Sequence, residues 1–557
     1  MRTQDRKGGT AETDKGILWS SIALSIVTCF MFFIYAPLEL YFTNKDDFWF
    51  DIWVLLPIMV CVFLISASVC VIGFFLLYKV SVKLYNTAAA VLFIVFLCSY
   101  VQGNFMVKYL PVMNGKMIDW NQYASEGRMQ SVVLWIVVVV AVLLMIKLLH
   151  MNRMYTIIRV VSICMLLMLT VTLFTVCMTN SGLESKTNVC VTTDYEMAMS
   201  SDVNFVILLL DAMDGGAFSD LVVGDEEEES IFDDFTYYDN VICAYPQTTY
   251  NVPLLLSGMW FENQIDRNEF FNTMLTESPL FDTLESRGYT IDLYEVDAGI
   301  DETTMNRFEN VDLYTKKVSS YADFVRWQIL LVGMRYAPFD LKRFSFVNPT
   351  AFESLRVIDG DKEAFRDDNN VDFYRMLTEQ DIEYREGNNF KFIHLWGAHA
   401  PYVYDKDLNY LPEGGTYVQS AEACITLSAM YLQKLKEAGV YDNTIIIICS
   451  DHGDSMYYDE DNMNQHPILL IKGIGDRHEF TVDSKPLSFD NMQEAYVRLM
   501  DGGEGQAVFD AVPLQDGRRF LWYDIKDEKH MLEYEQTGKA GEMNTMKLTG
   551  REFNAEK

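Results

Sequence analysis

Five long apolar runs before residue 180 limit what this chain can fold into. They are ILWSSIALSIVTCFMFFIYAPLELYF from Ile17, IWVLLPIMVCVFLISASVCVIGFFLLY from Ile52, AAAVLFIVFLCSYVQGNFM from Ala88, SVVLWIVVVVAVLLMIKLL from Ser131 and YTIIRVVSICMLLMLTVTLFTVCM from Tyr155. Each is long enough to cross a hydrocarbon layer about 30 Å thick as a helix. A helix suits that solvent because it pairs its own backbone N–H and C=O groups. The first run is too long for a cleaved leader, and no small-residue cleavage site follows it.

Basic residues set the orientation. Arg2, Arg6, Lys7 and Lys15 precede the first run, Lys79 and Lys83 follow the second, and Lys147, Arg153 and Arg159 lie around the fourth-to-fifth loop. The alternate loops are acidic or mixed, as in TNKDDFWFD. Retention of positive loops on the cytoplasmic side places the N-terminus inside. Five spans then place everything after about residue 180 outside the plasma membrane. The third run is the least apolar, and four spans would reverse the answer.

The exported part has a different pattern. Short apolar runs alternate with mixed segments, which predicts an α/β domain with a mainly parallel sheet. NFVILLLDAMD reads as a buried strand ending at Asp211, GYTIDLYEV from Gly288 as a second and FKFIHLWGAHAPY from Phe390 as a third. AEACITLSAMYLQKLKEAG reads as a helix stopped at Gly439. NTIIIICSDHGDS and PILLIKG supply two more strands. The net charge of −34 lies mainly in this part and excludes nucleic acid as a partner, since phosphate backbones attract basic surfaces. The run GDEEEES around Glu226 reads as a solvated loop. Only Cys190, Cys243, Cys424 and Cys449 lie beyond residue 180, with no CxxC pair, so neither a zinc ribbon nor a disulfide framework is expected.

Function in open α/β sheets gathers at the carboxyl ends of strands. Asp211, His394 with His399, and Asp451 with His452 all stand at such ends. Carboxylates and imidazoles converging from several strands form a metal-site constellation, and their oxygen and nitrogen donors suit zinc or manganese. The stretch AYPQTTYNVPLLLSG adds a hydroxyl. Pro253 suits the first turn of a helix with Asn251 as a cap, which places Thr248 or Thr249 just ahead of a helix N-terminus. Such an end favours an anion such as phosphate, and a divalent cation favours the threonine alkoxide.

The segments ILLLDAMD, TTYNVPLLLSG, FIHLWGAHAPY and LKEAGVYDNTIIIICSDHGDS resemble the alkaline phosphatase/sulfatase superfamily across about residues 200 to 480. Within it, the chain is similar to the membrane-anchored phosphotransferases: lipoteichoic acid synthases and lipid A phosphoethanolamine transferases, which also have five spans before the catalytic domain. The resemblance implies a transmembrane domain over 1–180, a linker over 181–200, a sulfatase-like catalytic domain over 201–500, and a C-terminal part with a small sheet over 501–557. It implies one divalent metal, zinc or manganese, and possibly a second. Asp211, Thr248, Asp451 and His452 occupy the metal positions, with Thr248 as the nucleophile. His399 matches a histidine that lines the substrate site or a second metal, while His394 matches a more variable position. His466 and Thr249 are lesser candidates for substrate binding. Sulfatases carry Cys or Ser with a nearby Arg in the nucleophile loop. Here the loop is TTYNV, which disfavours sulfate esters. The absence of flanking cysteines leans toward the lipoteichoic acid synthase side. The implied reaction moves phosphoglycerol or phosphoethanolamine from a phospholipid donor to a glycolipid or envelope-polymer acceptor, with hydrolysis of phosphate esters as the alternative.

Overall fold

The computed structural model describes residues 5–45, 48–106, 120–179, 188–347, 349–358, 362–366, 369–411, 414–455, 457, 463–513, 517–524 and 527–555. The chain forms two compact units, Met1–Lys186 with Thr315–Val357, and Thr187–Tyr314 with Ile358–Lys557. The stretch 201–500 expected as one domain is thus interrupted, because Thr315–Val357 belongs to the first unit. Of the expected linker, 181–200, residues 181–187 lie outside the described residues.

The first unit contains α1 (Asp5–Phe30), which passes through a π-helical turn at Met31–Tyr35 into α2 (Ala36–Thr43). Then come α3 (Ile52–Val80), α4 (Val82–Phe105) and α5 (Ala124–Thr179). Asp51 caps α3 by accepting from Trp53 N–H, and Ser81 caps α4 by accepting from Leu84 N–H. Five stretches are long and apolar enough to cross a membrane: Gly16–Thr43, Ile52–Val80, Val82–Phe105, Gly127–Leu149 and Arg153–Thr179. The last two share the single helical trace of α5, which is not straight. The Ser131 hydroxyl donates to Gln102 Oε1 at 3.2 Å, and the Tyr100 hydroxyl lies 3.9 Å from Met168 Sδ. At 1.5 Å per residue, a straight helix would hold Ser131 and Met168 about 55 Å apart, so α5 folds back along α4.

The Thr315–Val357 segment joins this unit through buried polar contacts. Its helix Tyr321–Tyr336 buries Phe324, Gln328, Leu331, Val332, Met334 and Tyr336. Arg335 pairs with Glu39, Nη2 to Oε1 at 2.8 Å, and donates to the Gly103 carbonyl at 3.0 Å. Gln102 donates to the Ala337 carbonyl, and Trp49 Nε1 donates to the Phe352 carbonyl at 2.6 Å. Gly103 is needed here: a Cβ would sit 2.3 Å from the Tyr336 ring.

The second unit is built on seven strands: β1 (Asn204–Leu210), β2 (Thr236–Tyr238), β3 (Tyr289–Tyr294), β4 (Asn388–Leu395), β5 (Thr444–Cys449), β6 (Leu469–Lys472) and β7 (Thr481–Asp483). Their order is β7-β2-β6-β5-β1-β4-β3. Strands β3, β4, β1 and β5 run parallel, β6 is antiparallel to both its neighbours, and β7 is parallel to β2. Every residue of β1 and β5 is buried, which is why both read as unbroken apolar runs rather than alternating ones. The acidic run forms a helical turn, Glu226–Glu229, capped by Asp225 rather than a plain loop. Beyond residue 501, Arg518–Asp524, Asp527–Gln536 and Met546–Asn554 make a separate antiparallel sheet.

Candidate active site

Strand register brings the chemistry together. β1 lies between β4 and β5, with Leu210 opposite Leu395 and Leu209 opposite Cys449. The chain leaving these three parallel strands therefore emerges side by side, with Asp211 after β1, Gly397 to His399 after β4, and Asp451 with His452 after β5. Asp211 N–H donates to the Leu395 carbonyl at 3.1 Å, and Ala398 N–H donates to the Asp211 carbonyl at 2.8 Å. This close approach requires glycine at 397. Its φ is +60°, and a Cβ there would stand 2.4 Å from Asp211 N.

One oxygen each of Asp211 and Asp451 and one nitrogen of His452 lie within 4.8 Å of one another, and all three residues are buried. His452 Nε2 is 3.3 Å from Asp451 Oδ2 and 3.7 Å from Asp211 Oδ1. His452 Nδ1 donates to the Gly453 carbonyl at 2.7 Å, which leaves Nε2 facing the carboxylates. Asp451 Oδ1 accepts from Ala212 N–H at 3.1 Å. The other oxygens, Asp211 Oδ1 and Asp451 Oδ2, are buried without a hydrogen-bond partner. Two buried carboxylate oxygens left without hydrogen-bond donors are costly unless a cation lies beside them. A zinc tetrahedron with bonds of about 2.1 Å has edges of about 3.4 Å, so the observed separations fit.

The electrostatics agree. Burial opposes ionisation of Asp211, but His399, His394 and His452 outweigh it and hold its carboxyl at about 2. Burial and the facing Asp211 push Asp451 upward, against His452, His394 and the Thr248 hydroxyl. Thr248 is the first residue of α6 (Thr248–Ser257) and is half-buried, with its side chain toward Asp451.

The helix start differs from the expected one. Gln247 is the N-cap without a side-chain bond, Thr248 is inside the first turn, and Pro253 lies within the helix. Asn251 caps nothing at the helix start. Its Oδ1 accepts from Ala244 and Tyr245 N–H, and its Nδ2 donates to the Tyr245 and Gln247 carbonyls. It thereby fixes the loop that carries Thr248. Thr249 follows at the second helical position and is half-buried.

The sulfatase family model matches residues 204–484, just over half of the chain and the whole of this residue group. The chain belongs to the sulfatase family. No curated protein is similar enough in sequence to match. Among solved structures, an alkaline phosphatase superfamily protein from Vibrio parahaemolyticus is 16% identical over 66% of this chain and 85% of its own, with a TM-score of 0.36. The C-terminal periplasmic domain of EptC from Escherichia coli is 12% identical over 65% and 95%, at 0.33. A phosphonate monoester hydrolase from Agrobacterium radiobacter is 15% identical over 62% and 88%, at 0.30. Likenesses this distant say nothing about the reaction. Sulfatase-family domains are metal-dependent enzymes that act on sulfate or phosphate esters, and the Asp211, Asp451 and His452 group is compatible with that dependence.

The other histidines of this sulfatase domain divide into distinct settings. His399 is half-buried, and its Nδ1 donates to the Ala400 carbonyl at 2.6 Å. Trp396 packs edge-on against its ring. His394 bridges two carboxylates, with Nδ1 2.5 Å from Glu295 Oε2 and Nε2 3.5 Å from Asp211 Oδ2. Burial disfavours its charge, yet Glu295 and Asp211 hold its proton well above the usual histidine range. Glu295 was not expected from the sequence. Its signal was available, since it follows the carboxyl end of β3 as Asp211 follows β1. His466 has its Nε2 3.1 Å from the Asp239 carbonyl and its ring packed against Gly215.

Proposed function

We propose that the protein is a metal-dependent phosphotransferase on the outer face of a bacterial plasma membrane. It takes phosphoglycerol or phosphoethanolamine from a phospholipid and passes it to a glycolipid or envelope polymer through a phospho-threonine at Thr248. The observation that carries this reading is the half-buried Thr248 hydroxyl at the start of α6, turned toward Asp451 of the buried Asp211, Asp451 and His452 group. Those four residues would hold a zinc or manganese ion, which supplies charge neutralisation at phosphoryl oxygens and favours the threonine alkoxide.

In the first step, Thr248 Oγ1 gives its proton to solvent and bonds to the donor phosphorus while the phosphorus–oxygen bond to diacylglycerol breaks and that oxygen takes up a proton. The helix N-terminus behind Thr248 favours the phosphoryl charge. In this reading His399 donates a proton to the departing diacylglycerol oxygen or stabilises the phosphoryl oxygens. In the second step, an acceptor hydroxyl gives up its proton and bonds to the same phosphorus, while the bond from phosphorus to Thr248 Oγ1 breaks and Thr248 takes up that proton through solvent. The five spans tether this chemistry to the membrane that contains its lipid substrate, with the N-terminus in the cytoplasm.

Incubation with phosphatidylglycerol or phosphatidylethanolamine should add the mass of the transferred group to the tryptic peptide containing Thr248. Thr248→Ala should lose both the adduct and turnover while keeping the melting temperature. Turnover in that variant would sink the reading. Release of the free headgroup phosphate without any acceptor would assign the protein to the hydrolases instead.

A further inference from the structure

The Thr315–Val357 segment has a surface that the site does not use. On its helix Tyr321–Tyr336, the exposed Tyr321 and Ile329 lie on one stripe, with half-buried Val325 between them. After the helix, Leu341 and Phe344 are 53% and 67% exposed. About a quarter turn round the helix, Phe324, Gln328 and Leu331 are buried.

The turn between these two parts is fastened to the ends of two membrane spans. Ala337 accepts from Gln102, Phe339 N–H donates to the Ser131 hydroxyl at 3.2 Å, and Asp340 pairs with Arg128 at 2.8 Å. At the same ends of α4 and α5, Phe105 and Met129 are each 64% exposed. Leu341 and Phe344 therefore continue the outward apolar surface of the spans past their ends. The Arg343 guanidinium lies 4.7 Å over the Phe344 ring, and Arg326 is exposed on the helix. Apolar side chains mixed with tyrosine and arginine match the composition of segments that lie in a lipid headgroup layer. The same side chains left in water would form a continuous apolar patch.

We infer that Thr315–Val357 is a lipid-docking element. Ile329, Leu341 and Phe344 enter the boundary between headgroups and acyl chains, and Arg326 and Arg343 face the phosphates. This rests on the spans crossing a bilayer and is independent of the chemistry at Thr248. The chain enters the segment from the second unit at Tyr314 and returns to it at Ile358. The exported sequence is thus held to lipid in its middle as well as at its start.

The test uses the full chain in nanodiscs of phosphatidylglycerol and phosphatidylethanolamine. Photoreactive benzoylphenylalanine replaces Phe344, Ile329 or, as a control in the second unit, the exposed Tyr384. After irradiation, phospholipid adducts are expected at 344 and 329 and absent at 384. Loss of the adduct at 344, equal yield at 384, or cross-linking at 344 to a second copy of the chain would overturn the proposal. A Thr248→Ala background should leave the adducts unchanged, which separates this result from the fate of the catalytic reading.

Discussion

Replacing Asp451 with asparagine should have opposite effects in the metal-free and metal-loaded protein. Asp451 is fully buried, and its ligand oxygen lies within 4.8 Å of that of Asp211. Two unit charges at that separation repel by about 3 kcal/mol at an effective dielectric near 20. His452, His394 and His399 offset part of this, so relief of about 1–3 kcal/mol is expected when Asp451→Asn removes one charge. The asparagine oxygen can still accept from Ala212 N–H, and its amide can donate to the unpartnered Asp211 Oδ1. The metal-free variant should therefore melt higher than the metal-free parent. With metal the order reverses. A ligand at 100 times its dissociation constant stabilises by about 2.7 kcal/mol, and the variant loses a charged ligand for it. The assay is intrinsic-fluorescence melting of the full chain in micelles, stripped with EDTA and then titrated with zinc or manganese. A lower melting temperature for the variant in EDTA, or an undiminished metal-induced rise, would refute the reasoning.

Three further outcomes are expected. Burial pushes Glu196 up to about 8, and both its carboxyl oxygens lack a hydrogen-bond partner. The unfolded chain ionises this group from about 4.5 upward while the folded chain keeps it neutral to about 8. Stability should fall as pH rises through that window by about 1.4 kcal/mol per unit, and Glu196→Gln should flatten the fall in melting curves taken across it. Glu295→Gln removes the charge that orients His394 against Asp211 and should weaken metal binding by about 10–100-fold in chelator competition. Unchanged affinity would show that His394 does not position Asp211. Gly397→Ala forces a methyl group against Asp211 N and should cost turnover as well as stability. Gly414→Ala, also at positive φ but with nothing closer than 4.0 Å, should cost only about 1–2 kcal/mol of backbone strain.

What could be read from the sequence depended on where side chains find their partners. The strands NFVILLL and TIIIIC are buried on both faces, so each is an unbroken apolar word, and Asp211 and Asp451 follow their ends directly. The direction of LLIK was not legible, because a short apolar run carries no sign of which way it runs. Pro253 suggested a helix beginning near it, yet the helix begins at Thr248 and admits the proline in its body. A proline removes a donor but does not by itself mark a start. Glu295 was passed over because a carboxylate after a strand is usually a turn residue. Only the position of His394 beside it reveals its partner. The affiliation of Thr315–Val357 rests on Arg335 meeting Glu39 and Trp49 meeting Phe352, pairs separated by hundreds of residues that local patterning does not report.

That affiliation bears on how the sulfatase-family unit can be isolated. A protein truncated to begin at Thr187 would keep Thr315–Val357 while discarding the helices that cover Phe324, Leu331 and Tyr336. Those residues would then be bare in water, and the fragment would tend to clump for a reason unrelated to its catalytic centre. A soluble enzyme requires a second excision, with a short bridge joining Tyr314 to Ile358 in place of the removed helices.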